Sequence, residues 1–187
     1  MSDHAILQLE SNKIILKPSE YSLAVYLSSV RTYVNEYAKV SDKQMGYDDG
    51  FLIGVDGLVG EFGVCKHFNV CPDLSFEPRK GGADCVINGN RVDVKSTKPG
   101  KHKVFVPEWK AKDKIDRYIF CTVNFRTIEI LGWFLHQDIF KEDNLEESPM
   151  KGVNHHALLL SNLRKKFKGE IKNEEKSNQE IPVDGLS

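Results

Sequence analysis

The stretch from Gly81 to Lys98 constrains the chain most, because Asn88-Gly89 lies between two short runs of β-favouring residues, Cys85-Val86-Ile87 and Val92-Asp93-Val94. Asn-Gly flanked in this way predicts a hairpin closed by a two-residue type I′ turn. That register sets Asp84 directly opposite Asp93, with Lys95 on the same face as Asp93 and Gly82 across from it. Side chains alternate along a strand, so Val92, Val94 and Cys85 point to the other face, as packing on a core requires. A three-residue turn over Asn88 to Asn90 would shift the register and break the pairing.

Two carboxylates on directly opposed residues, whose Cβ atoms are about 4.5–5.5 Å apart, repel, and a positive charge is needed between them. Carboxylates with a nearby lysine suit a hard cation, Mg²⁺ or Mn²⁺, rather than a metal that prefers thiolate or imidazole. Lys95 would then hold or deprotonate a water beside the metal. The competing reading is a surface hairpin with ordinary solvated charges.

The 187 residues suit one domain with a sizeable core, 1–168, followed by a Lys/Glu/Asn/Gln-rich tail over 169–187 that reads as disordered. A formal net charge of −1 argues against indiscriminate polyanion binding by the whole surface. No apolar run approaches the roughly 18 residues that span a bilayer, and no secretory signal begins the chain. The expectation is a cytoplasmic protein with its four cysteines reduced. Cys65, His67 and Cys71 resemble half of a zinc site, but no second pair at ligand spacing completes it.

Along the chain, residues 5–17 suggest a strand ending in Ile14, Ile15 and Leu16, closed by Pro18. A helix follows from Ser19 and Glu20 to about Val40, with Leu23, Tyr26, Leu27, Val30, Tyr33, Val34 and Tyr37 as its core stripe. Residues 41–50 read as a loop. A second helix spans Gly50 to Phe68, burying Val55, Leu58, Phe62 and Cys65, with Glu61 at the edge of that stripe. A carboxylate there needs a cation or donors unless it is solvated. Gly57, Gly60 and Gly63 each cost about 1 kcal/mol in a helix and predict close approach of a backbone.

After a loop over 69–80 and the hairpin, Lys101 to Val106 reads as a strand and Glu108 to Lys114 as a short helix or turn. Tyr118 to Phe125 and Thr127 to His136 are neighbouring strands that complete a sheet of about five. Asp138 to Glu147 reads as an acidic loop and Ala157 to Phe167 as a last helix. The fold class expected is α/β or α+β, a central mixed sheet flanked by helices.

A helix acid, Glu61, then Asp84, then Asp93-Val94-Lys95 resembles the PD-(D/E)XK nuclease superfamily, whose restriction-endonuclease-like core is such a sheet. The likeness runs from Gly60 to Trp133, and Val106-Pro107-Glu108-Trp109-Lys110, Tyr118-Ile119-Phe120 and Ile130-Leu131-Gly132-Trp133 are similar to small single-domain phage and prokaryotic members. Ala83 stands where the family's proline would precede Asp84. The resemblance implies that Asp84, Asp93, the Val94 carbonyl and Glu61 hold Mg²⁺, with Mn²⁺ as substitute, and that Lys95 orients or activates the attacking water. It implies hydrolysis of phosphodiester bonds in DNA. From Arg91 to Arg117 nine Lys/Arg stand against four acids (Asp93, Glu108, Asp113, Asp116). In that span Lys98, Lys101, His102, Lys103, Trp109, Lys110 and Lys112 are candidate DNA contacts. Alternatives are a non-catalytic nucleic-acid-binding protein that keeps the fold, or a Holliday-junction resolvase, which would need a homodimer.

Overall fold

A computed structural model describes residues 12–40, 50–78, 82–147 and 154–163. The loop expected over 41–49, the start of the first strand before Asn12, the end of the last helix after Leu163 and the tail over 169–187 lie outside the described residues.

Strand β1 (Lys13–Ile15) leads into helix α1 (Pro18–Tyr37). Pro18 takes the first turn, where no amide is needed, and Glu20 accepts the Lys17 N–H at 2.6 Å and an ion pair from Lys66 at 2.7 Å. Helix α2 (Gly50–Phe68) follows, with the expected stripe of Val55, Leu58, Phe62 and Cys65 buried. Then come β2 (Cys85–Ile87), β3 (Asn90–Thr97), β4 (Lys103–Pro107), β5 (Arg117–Asn124) and β6 (Thr127–Leu135). The chain continues through the single turn α3 (His136–Ile139), β7 (Leu145–Glu147) and β8 (Asn154–Leu159).

The main sheet is mixed, in the order β1-β6-β5-β3-β2, with β3 and β5 parallel and the other pairs antiparallel. Its two faces bury separate cores. On one, Val92, Val94, Ile119, Cys121 and Ile128 pack under Val55, Leu58, Val59 and Phe62 of α2. On the other, Tyr118, Phe120 and Phe134 pack against Val104, Val106 and Leu158. Tyr118 to Cys121 are therefore buried on both faces, as a central strand covered twice must be.

Two glycines set how closely α2 approaches. A Cβ on Gly63 would lie 2.7 Å from Ile128 Cγ1, and one on Gly60 3.0 Å from Cys121 Sγ. Gly57 has open space around it, so close approach does not explain that position.

Three expectations are corrected. The strand at Lys101 to Val106 exists as β4 but leaves the main sheet for a second one, in the order β4-β8-β7; β1 takes the fifth place instead. Ala157 to Leu159 belong to β8 rather than a helix, because β4 needs a partner and this segment supplies it, with Leu158 opposite Val104, Ala157 opposite Phe105 and His156 opposite Val106. The stripe on α1 is largely exposed: Ala24, Leu27 and Ser28 are buried, whereas Leu23, Tyr26, Tyr33 and Tyr37 face outward.

Candidate active site

Asn88 and Gly89 have φ of 48° and 74°, the left-handed pair that a type I′ turn demands. The register is the one expected, with Ile87 opposite Asn90, Val86 opposite Arg91 and Cys85 opposite Val92. It ends one residue before the acids would pair. The Asp84 N–H donates to the Val92 carbonyl at 2.8 Å, so Asp84 and Cys85 share one partner residue, the mark of a bulge. Asp84 is consequently not laddered opposite Asp93. Its carboxylate turns along the edge of β3 and accepts the Val94 N–H at 2.6 Å, replacing the carbonyl that a longer β2 would have offered. The Val94 carbonyl leaves the strand on that same edge, since N–H and C=O of one strand residue point the same way.

Asp93 faces away from α2 and is 1% exposed. Both of its oxygens carry an ammonium: Oδ1 that of Lys95, and Oδ2 that of Lys110 at 2.7 Å. Burial pushes the Asp93 carboxyl up, but the two lysines outweigh it and hold the group below its ordinary value. Lys95 also lies 5.9 Å from the centre of the Tyr118 ring, which is beside Asp93 in the β3–β5 register. Burial, with the charges of Asp93, Asp113 and Asp84, drives the Tyr118 hydroxyl upward.

Lys110 reaches the site because parallel strands need a crossover. Here the crossover is β4 followed by a 3₁₀ turn, Glu108–Lys112, and it runs over the face that carries Asp93. Burial alone would lower the Lys110 ammonium, and Asp93 and Asp113 raise it.

Glu61 comes from α2. Its Oε2 lies 3.5 Å from Arg31 Nη1, is buried, and accepts no hydrogen bond from the described residues. Burial and then the Asp84 charge push its carboxyl up to about 8, against Arg31 and Lys95, and the more weakly felt Asp93 adds to the rise. Asp84 is pushed up to about 6 by burial and by Asp93, with Lys95, the Val94 N–H and Lys110 opposing. Glu61 is thus repelled by Asp84 and more weakly by Asp93, and Asp84 by Asp93.

Arg31 has no sequence signal. Its Nη2 donates to the Asp73 carbonyl at 2.7 Å and its Nε to that of Ser75 at 3.2 Å, while the Asp73 N–H donates to the Asp84 carbonyl at 2.8 Å. One guanidinium therefore connects α1, Glu61 and the segment leading to Asp84.

The donors available are carboxylate oxygens and a strand carbonyl, which fit a hard divalent cation, and Glu61 Oε2 has acceptor capacity to spare. Among the described residues, however, no three His, Cys, Asp or Glu side chains are arranged as a finished metal cage.

The basic residues expected to meet DNA scatter. Lys98 pairs with Asp56, Lys103 with Glu146 at 2.8 Å, and Lys110 with Asp93. Lys103 also lines an open cavity of about 550 Å³ beside the second sheet, shared with Asp138, Lys141 and Glu146 and none of the acids above. Lys101, His102 and Lys112 are exposed, and Trp109 is 38% exposed. Cys65, Cys85 and Cys121 are buried free thiols, and Cys71 is exposed. No helix is long and apolar enough to cross a membrane among the described residues.

Comparison with family models, curated proteins and solved structures returned no match.

Proposed function

We propose that the chain is a metal-dependent nuclease that hydrolyses phosphodiester bonds in DNA, built on a restriction-endonuclease-like core and using Mg²⁺ or Mn²⁺. The observation that carries this reading is the meeting of Asp84 and Lys95 with a fully buried Asp93 at one edge of β3, coupled through Asp84 to Glu61 on α2. A buried carboxylate flanked by two others is costly in a merely structural hairpin.

Asp84, Asp93, the Val94 carbonyl and Glu61 would hold the ion. When bound, it supplies Lewis-acid neutralisation of the phosphate charge that gathers during in-line attack. Lys95 orients the attacking water through its Nζ and supplies positive charge beside the phosphate. Asp93 keeps the Lys95 ammonium in place between turnovers, and Tyr118 closes one side of it. The exposed Lys101, His102 and Lys112, together with Trp109, would contact the DNA.

One observation favours the second reading, a non-catalytic nucleic-acid-binding protein with the same fold: both Asp93 oxygens are neutralised by lysines. The two separate on a panel of supercoiled plasmid, linear duplex, single-stranded and branched DNA, and RNA, incubated with Mg²⁺ or Mn²⁺. Cleavage by wild type that disappears in Asp93→Ala supports the nuclease. Binding without cleavage, or equal cleavage by both proteins, overturns it. Preference for four-way branched DNA by a homodimer would narrow the activity to junction resolution.

A further inference from the structure

Lys110 sits between two anions. Its ammonium is 2.7 Å from Asp93 Oδ2 and 3.2 Å from Asp113 Oδ2, the latter three residues on in the chain. Lys95 is placed differently: it shares a strand with Asp93 and lies over the Tyr118 ring.

Asp93 is too deeply buried to be left without a counter-charge. With two ammonium groups on it, the arrival of a divalent cation would crowd positive charges within a few ångströms. Like charges that close repel strongly even in a partly screened setting, and a divalent ion doubles the effect of a monovalent one. One ammonium must withdraw. Lys110 has a second acceptor already within reach, so the exchange needs torsions of its side chain and no movement of the 3₁₀ turn.

We propose that Lys110 is an exchangeable internal counter-ion, which neutralises Asp93 while no divalent cation is bound and transfers to Asp113 when one arrives. This rests on the metal reading of Asp93 given above. It makes the second lysine a competitor of the metal rather than a contact to DNA, and makes Asp113 a positioning residue for metal uptake.

Titration calorimetry with MgCl₂ and with MnCl₂ on wild type, Lys110→Met and Asp113→Asn tests it. Methionine keeps the length of the side chain and removes the charge, so Lys110→Met should bind either ion more tightly, on the order of tenfold. Asp113→Asn removes the alternative anion and should bind more weakly, by roughly threefold. Equal affinity in all three proteins, or weaker binding by Lys110→Met, overturns the exchange while leaving the metal site standing. Should Lys110→Met fail to fold, unchanged or tighter binding by Asp113→Asn overturns it. If wild type itself takes up neither ion, the metal reading fails first and the exchange falls with it.

Discussion

The Asp84 carboxylate accepts the Val94 amide at 2.6 Å, so an acid at the mouth of the hairpin completes the edge of the strand that carries Asp93 and Lys95. Two functions of that side chain, acceptor and charge, can be separated. Asp84→Asn keeps an oxygen for the Val94 N–H and removes the charge. Asp84→Ala removes both. The alanine variant should be less stable than the asparagine variant by about 1–2 kcal/mol in chemical denaturation. Both should bind Mg²⁺ at least ~10-fold more weakly than wild type in calorimetry. Full Mg²⁺ affinity in Asp84→Asn would remove Asp84 from the ligand set.

The raised acids make stability fall as pH rises. Glu61 goes from 4.5 to about 8, and Asp84 from 3.8 to about 6, so the folded state holds protons that the unfolded chain releases. Their contribution is complete below about pH 4 and is lost as pH climbs through 6 and then 8, on the order of a few kcal/mol in all. Asp93 acts in the opposite sense, since its lowered carboxyl loses stabilisation as pH drops through 3.8 and below. The thermal midpoint should therefore be highest near pH 4 to 5 and decline toward pH 8.5 without divalent ions. Glu61→Gln should flatten the limb between pH 6 and 8. A midpoint that rises over that limb contradicts the burial and repulsion described.

How much of this the sequence discloses depends on how local the determining interaction is. The hairpin register follows from Asn88-Gly89, and the bounds of α2 from spacing within one segment. The bulge that turns Asp84 away from Asp93 depends on the Val92 carbonyl and on the short β2, which a pairing rule does not register. Lys110 and Arg31 reach the acids from a crossover and from another helix, and their types alone look like ordinary surface cations. The segment Asn154–Leu159 has no alternation strong enough to mark a strand and becomes one because β4 needs a partner. The tyrosine stripe of α1 has helical spacing but lies on the wrong side of the helix, a choice that α2 makes through Ala24 and Leu27.

Removing the Asp93 lysines singly and together should be non-additive. In Lys95→Ala the carboxylate keeps Lys110, and in Lys110→Ala it keeps Lys95, so each single variant retains a counter-charge. The double variant leaves a buried charge bare and should lose about 2 kcal/mol or more beyond the sum of the singles at neutral pH. Lys95→Ala alone should cut DNA cleavage by about 100-fold or more without weakening divalent-ion binding. A strictly additive cycle would mean that the two ion pairs do not share Asp93 in solution.

Arg31 should act on Glu61 through charge and anchoring together. Arg31→Ala takes away a cation that opposes the rise of the Glu61 carboxyl, and it frees the Asp73 and Ser75 carbonyls. Carbon-detected NMR titration should show Glu61 protonating about one pH unit higher than in wild type. Arg31→Lys should restore little, because a single ammonium cannot serve two carbonyls and a carboxylate in the fixed planar arrangement of a guanidinium. Full restoration by lysine would reduce Arg31 to a point charge.

The closeness of α2 to the sheet, on which the position of Glu61 depends, is testable with two alanines. At Gly63 an added methyl meets Ile128 Cγ1 at 2.7 Å and Cβ at 2.9 Å, atoms of a buried branched side chain with little room to retreat. Gly63→Ala should cost about 1–3 kcal/mol. At Gly57, six residues earlier on the same helix, nothing lies within 4 Å of the added atom. Gly57→Ala should stabilise by up to ~1 kcal/mol through helix propensity. Because α2 must shift outward to admit the methyl at Gly63, that variant should also move the Glu61 titration, and Gly57→Ala should leave it alone. Equal and small stability changes at the two positions would show that α2 rides further from β6 than the packing described here.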